Sequence, residues 1–323
     1  MSAPRTGAPR LSVIRRPRFG GAALPGRRGV VLADSATVSP APRPVAARPA
    51  PPTSAWLPTA PCSPHSCVDS TASWAAVPRA TARLVSVLVL VLVGVALTPL
   101  VGRLRARTRD RWIRRWCRSV VSAAGVRVRF TGAAAPTGGL LIVANHISWL
   151  DIPLLAAVRP ARMLAKTEVR GWPVAGPLAA RGGTLFIERD RLRALPGTVG
   201  RIADALRDGA AVVAFPEGST WCGRAQGHFR RAVFQAALDA DVPVQPVRIH
   251  YRLADGTAST APAFVGSDSL LASVWRVVSA DALVAEVQVL PVLAPGDHTD
   301  RRGLARAAQG GRHAQGDPHI MCA

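Results

Sequence analysis

"LLIVANHISWLDIPLL", residues 140–155, decides how the chain is read. A short apolar run opens it, and a run of that length bounded by polar residues reads as a buried strand. The run then gives way to Asn145, His146, Ser148 and Asp151 before apolar residues resume. Pro153 fits a helix only in its first turn, where the missing N–H has no partner to lose, so a helix is expected to start near Asp151. Residues five apart on an ideal helix point about 140° from each other, so His146 meets Asp151 only from the turn before the helix. In that strand–turn–helix layout a carboxylate takes one imidazole nitrogen, fixes the tautomer and leaves the other nitrogen as a base. The plainer reading makes His146 a satisfied strand-end histidine, with Asp151 or Ser148 as a helix cap.

Outward from this stretch the chain alternates short apolar runs with amphipathic ones. "GVRVRF", "GLLIVAN", "TLFIER", "AAVVAFPEG" and "VPVQPVRIHYR" read as strands. "DIPLLAAV" starts a helix, "LPGTVGRIADALRDG" is a helix closed by Gly209, and "RRAVFQAALDAD" is another. Strands separated by helices imply an α/β domain with functional groups at strand ends. In the last of these strands the prolines of residues 242–247 suit an edge position. The domain is expected to span residues 121–297, followed by a flexible tail over 298–323.

The charge lies elsewhere. The 323 residues carry a net +22. Residues 1–80 hold ten arginines and two aspartates, and residues 81–120 nine arginines and one aspartate, a net +8 each. Residues 121–300 balance to +3. A nucleic-acid enzyme would more often carry its basic surface on the folded domain, so that class is disfavoured. Residues 1–80 are rich in Pro, Ala, Arg and Ser with no sustained period, and are expected to be a disordered tail. Residues 84–101, "LVSVLVLVLVGVALTPLV", hold no charge and are far too long for a strand, which points to membrane insertion. Arg103, Arg105, Arg107, Arg109, Arg111, Arg114, Arg115 and Arg118 follow, interleaved with Trp112 and Trp116, as on an interfacial helix at anionic lipid. Residues 81–120 thus form a membrane-inserted helix with a basic flank. The excess of arginine after the run puts its C-terminal side in the cytoplasm. A full span and a re-entrant or monotopic insertion both remain open.

Five scattered cysteines argue against a disulfide framework. "CSPHSC", with Cys62, His65 and Cys67, has no second ligand pair at zinc spacing, so no metal is assigned to it. Cys222 reads as a packing residue.

Asn145, His146, Ser148 and Asp151 match the NHxSxxD motif, and three further blocks follow in order. These are "KTEVRGWPVAGPLAARGGTLFIER" (residues 166–189), "FPEGST" (215–220) and "VPVQPV" (242–247). This ordered set, over roughly residues 120–295, resembles the glycerolipid acyltransferases, the lysophosphatidic acid acyltransferase-like (1-acyl-sn-glycerol-3-phosphate acyltransferase) family. The resemblance implies a single acyltransferase domain with a helix-flanked sheet. It implies acyl transfer from acyl-CoA or acyl carrier protein to the free hydroxyl of a lysophospholipid in phospholipid biosynthesis, at the cytoplasmic side of the cell membrane, with no cofactor and no metal. His146 would be the base and Asp151 its orienting partner. Asn145, Ser148, Lys166, Arg189, Glu217, Gly218, Ser219 and Arg224 would serve the substrate, with Glu217 and Gly218 near the glycerol-phosphate and Arg189 at the phosphate. Many members follow FPEGT with Arg-Ser; here the arginine is displaced to Arg224, which opens lyso-ornithine lipid as an alternative acceptor. A thioester hydrolase and a non-catalytic phosphate-binding protein are the readings from other classes.

Overall fold

The computed structural model describes residues 59–69, 74–172, 175–188 and 191–310. Helix α1 (Pro64–Cys67) precedes α2 (Val77–Gly102) and α3 (Ala106–Ala123). Then follow β1 (Arg127–Thr131), β2 (Leu140–Ala144), α4 (Asp151–Val158), β3 (Arg162–Lys166), α5 (Ala175–Arg181), β4 (Leu185–Ile187) and α6 (Leu195–Arg207). The chain continues through β5 (Ala211–Ala214), α7 (Ala232–Ala240), β6 (Val244–Arg252), α8 (Leu270–Ser279), β7 (Val284–Val289) and α9 (Arg301–Gln309).

The strands form one sheet in the order β1-β7-β6-β2-β5-β3-β4. Strands β2 to β6 run in one direction, while β7 lies antiparallel to β6 and β1 parallel to β7. The fold is α/β, as expected. Strand β2 is buried at every position because helices cover both faces of the sheet. Leu140, Ile142 and Ala144 join a core with Val121 of α3, Leu154 and Leu155 of α4, and Val277 of α8. Leu141 and Val143 face the other core, with Ile202 and Leu206 of α6, Phe234 of α7 and Leu304 of α9. Each Leu, Ile, Val or Phe among these contributes about 1.5–3 kcal/mol on full burial, so β2 is held from both sides and the loop leaving its C-terminal end has a fixed origin.

Helices α2 and α3 pack closely. A Cβ on Gly94 would lie 2.4 Å from the Trp116 ring, and Trp116 Nε1 donates to the Leu90 carbonyl at 3.0 Å. The buried residues of α2 are Ala80, Val87, Gly94 and Val101, a seam repeating every seventh residue. Arg83 ties the helix down by donating to the carbonyls of Val278 and Ala280. The opposite face leaves Val85, Leu88, Val89, Leu92, Val93 and Leu100 exposed.

Three expectations need correction. Residues 59–69 fall within the stretch read as a disordered tail, yet Cys62 and Cys67 are buried in the core and Asp69 bonds to Thr260. Residues 1–58 and 70–73 lie outside the described residues, as do 311–323. The strand beginning at Val244 is interior rather than an edge. Pro246, lacking an N–H, still supplies its carbonyl to the Leu290 amide at 3.0 Å. The final stretch is also not all tail. Asp300 caps α9 by accepting from the amides of Arg302 and Gly303, and Leu304, Ala305 and Ala308 are buried.

Candidate active site

The loop after β2 carries the motif. Asn145 closes the strand end: its Nδ2 donates to the Ile249 carbonyl at 2.9 Å and its Oδ1 accepts from the Ile249 amide at 2.8 Å. That pair of bonds locks the loop to β6. His146 comes next and Asp151 opens α4, as the position of Pro153 predicted. His146 Nδ1 and Asp151 Oδ2 lie 2.8 Å apart. The same oxygen accepts from the amides of Ile147 at 2.7 Å and Ser148 at 2.9 Å, which draws the chain into a turn around the carboxylate. Asp151 Oδ1 accepts from the Tyr251 hydroxyl at 2.6 Å. A fully buried carboxylate would otherwise be costly; four donors compensate it. Burial, reinforced by the charge of Asp151, drives the Tyr251 phenol well above its ordinary range, so it remains a donor.

Asp151 has only acceptors to offer, so the imidazole proton sits on Nδ1 and Nε2 carries the lone pair. The ring is stacked on Phe215, centroid to centroid 3.9 Å with 14° between planes. His146 keeps partial exposure, with its side chain 21% accessible. The arrangement is thus an imidazole with a fixed tautomer, a fixed ring plane and an open outward nitrogen.

Glu217 does something the sequence left unread. Its Oε2 accepts from the His146 amide at 2.8 Å and its Oε1 from the Gly227 amide at 3.2 Å. It is buried, and burial pushes its carboxyl up to about 8, against the pull of those two amides; the charge of Asp151 adds to the rise. Glu217 therefore pins the backbone of the His146 loop to the loop after β5. Gly218 sits at φ 78° in the tight turn that makes this possible. The Trp221 amide adds a bond to the His146 carbonyl at 2.8 Å.

The remaining expected residues divide. Ser148 is buried in the turn, its Oγ accepting from the Leu150 amide at 3.3 Å. Lys166 ends β3, exposed at the same edge of the sheet, two strands from β2. Ser219 lines a cleft of about 510 Å³ together with Glu217, Trp221, His228, Arg230 and Arg231. Arg224 is paired with Asp69 at 2.8 Å, so the strap before α2 holds the displaced arginine. Arg189 lies outside the described residues. Tyr251, Phe215, Arg230 and Arg231 were not identified from sequence. Tyr251 is the only tyrosine of the chain, and that rarity was the one signal available.

Fold and site together define an α/β protein that presents a tautomer-fixed His–Asp pair at the C-terminal end of its central strand. Residues 126–250 match the family model described as Acyltransferase. The lyso-ornithine lipid O-acyltransferase of Pseudomonas aeruginosa is 42% identical over 186 residues, covering 56% of this chain and 69% of that protein. The 1-acyl-sn-glycerol-3-phosphate acyltransferase of Neisseria meningitidis is 34% identical over 191 residues, covering 58% and 73%. The solved structure of the 1-acyl-sn-glycerophosphate acyltransferase from Thermotoga maritima aligns with a TM-score of 0.48 at 18% identity, covering 70% of this chain and 93% of that one. The chain belongs to the glycerolipid acyltransferase family, and it is an acyltransferase.

Proposed function

We propose that the chain transfers an acyl group from acyl-CoA or acyl carrier protein to the free hydroxyl of a lysolipid at a membrane surface. The observation that carries this reading is His146, held by Asp151 through Nδ1 and stacked on Phe215, with Nε2 left to act. Nε2 takes the proton of the acceptor hydroxyl as its oxygen attacks the thioester carbonyl carbon. The carbon–sulfur bond then breaks, and the imidazolium returns the proton to the departing thiolate. A general base so placed contributes roughly 10²–10⁴-fold in rate. The chain itself supplies every proton transfer in this scheme.

The acceptor headgroup is assigned to the cleft beside Glu217, where Arg230 and Arg231 supply positive charge. Arg230 and Arg231 fit the phosphate of 1-acylglycerol-3-phosphate. Pairing of Arg224 with Asp69 favours the second acceptor, lyso-ornithine lipid, because it takes up the displaced arginine that would otherwise meet a phosphate.

Membrane attachment is assigned to α2, a helix long and apolar enough to cross a membrane. Residues 59–69 before it and the domain after it pack against each other, so a straight span would have to part them. The seam of α2 lies on the protein and its outer leucines and valines are exposed, which suits insertion into one leaflet with the Arg-rich α3 at the headgroups. The cytoplasmic leaflet of the cell membrane, rich in anionic lipid and facing the acyl donor, matches that charge.

The test supplies full-length protein in lipid vesicles with labelled acyl-CoA or acyl carrier protein and a panel including 1-acylglycerol-3-phosphate and lyso-ornithine lipid. Mass spectrometry of diacyl products identifies the acceptor. Release of free fatty acid that no lysolipid suppresses would replace the transfer reading with thioester hydrolysis.

A further inference from the structure

Cys62 and Cys67, five residues apart, converge in the core with Cys222, more than 150 residues further on. Their sulfurs all lie within 4.8 Å of one another, and the residues are 3%, 1% and 0% exposed. The segment "CSPHSC" reaches this point in a telling way. His65 and Ser66 face solvent, Ser63 and Pro64 are half-buried, and only the two cysteines turn fully inward. Ser63 caps the single turn of α1 through the Ser66 amide, and the Cys67 amide closes onto the Ser63 carbonyl at 3.1 Å. Ala60 and Val68 of the same segment pack against the core only in part, whereas the two cysteines are fully buried and both meet the third thiol.

We propose that these three cysteines bind one thiophilic metal ion, zinc or copper(I). Soft thiolate ligands select those ions, and C-x4-C lies at the wide end of zinc ligand spacing. Zinc–thiolate bonds of about 2.3 Å put sulfurs roughly 3.8–4.0 Å apart, so the site closes on an ion with shifts of under about 1 Å. A disulfide, by contrast, needs about 2.05 Å between two sulfurs and leaves the third thiol over. Each thiol gives up its proton when it ligates. Zinc would take a water as its fourth ligand; copper(I) is content with three sulfurs. The Ser66 hydroxyl, 3.5 Å from Cys67 Sγ, is placed to donate to the thiolate.

The location gives the ion a task. Cys62 and Cys67 belong to the strap before α2, while Cys222 follows Trp221, whose amide holds the His146 carbonyl. An ion here fastens the strap to the catalytic loop, alongside the Asp69 contacts to Arg224 and Thr260.

Full-length protein is purified in detergent with reductant and without chelator, and its metal content is measured by mass spectrometry. About one zinc or copper ion per chain is expected in the wild type and in Cys117→Ser, whose thiol lies on α3 outside the cluster. Cys62→Ser, Cys67→Ser and Cys222→Ser should each weaken binding at least ~10-fold, since loss of a ligand costs no less than loss of its outer partner. Cobalt(II) added to stripped wild-type protein should produce a thiolate-to-cobalt charge-transfer band, a readout that needs no variant to fold. Zinc and copper(I) competing for that band decide which ion is preferred. Wild type that retains neither ion and gives no cobalt band would overturn the proposal, as would equal metal binding by Cys222→Ser.

Discussion

The Tyr251 hydroxyl donates to Asp151 Oδ1 at 2.6 Å, while the other oxygen of the same carboxylate holds His146. Strand β6 thereby supports Asp151, the orienting partner of the proposed base, from 100 residues away. Tyr251→Phe leaves a buried carboxylate oxygen short of its donor, a loss of about 1–3 kcal/mol. Denaturation midpoints should fall accordingly, and kcat should drop with KM for the lysolipid little changed, because the ring of His146 is less firmly aimed.

Glu217 predicts a pH dependence of stability. Its folded carboxyl is raised to about 8, from an ordinary value of 4.5. Between those values the native state binds more protons than the unfolded state, so stability falls as pH rises through that window. Glu217→Gln removes the titrating group, and its unfolding midpoint should lose that part of the slope. At low pH the variant should be the less stable protein, because its amide NH2 meets one of the two backbone donors of His146 and Gly227. Thermal unfolding of both proteins across pH reads this directly.

Arg224 and Asp69 are about half exposed, so their pair contributes at most about 1 kcal/mol. Arg224→Ala should leave KM for either acceptor nearly unchanged. Arg230→Ala combined with Arg231→Ala should raise KM roughly 10- to 100-fold for an anionic headgroup, given about 1.5–3 kcal/mol for a hydrogen bond to a charged group. Steady-state kinetics on the two pairs of acceptor and variant separates these outcomes.

The outer face of α2 exposes large apolar residues from Val85 to Leu100, whose burial in lipid contributes on the order of 5–10 kcal/mol. Leu88→Asp with Leu92→Asp should move the protein from the membrane to the soluble fraction in vesicle flotation. Protease added outside sealed, inside-out membrane vesicles, whose cytoplasmic face points outward, should reach residues on both sides of α2 together, as one-leaflet insertion requires.

The strand–turn–helix at residues 140–155 was legible in the sequence because a fully buried strand, a polar turn and a first-turn proline leave distinct local marks. The long-range partners were not. Tyr251 meets Asp151, Glu217 meets the His146 amide, and Asp69 meets Thr260, all through pairings that sequence spacing does not encode. Residues 59–69 were assigned to a tail for the same reason. They are anchored by two cysteines and one aspartate rather than by a periodic apolar face, so no period announces them. The edge position expected for residues 242–247 rested on the prolines alone. Pro246 sits inside the sheet because its carbonyl accepts from the Leu290 amide, while the Leu290 carbonyl, denied an N–H by the proline, accepts from the Gln245 side-chain amide instead.

The central claim is that His146 is the base. The most direct test measures acyl transfer to the identified lysolipid by His146→Ala and wild type at equal membrane loading, with circular dichroism showing both folded. The rate is expected to fall roughly 10²–10⁴-fold while lysolipid binding persists. An unchanged rate in the folded variant would contradict the account.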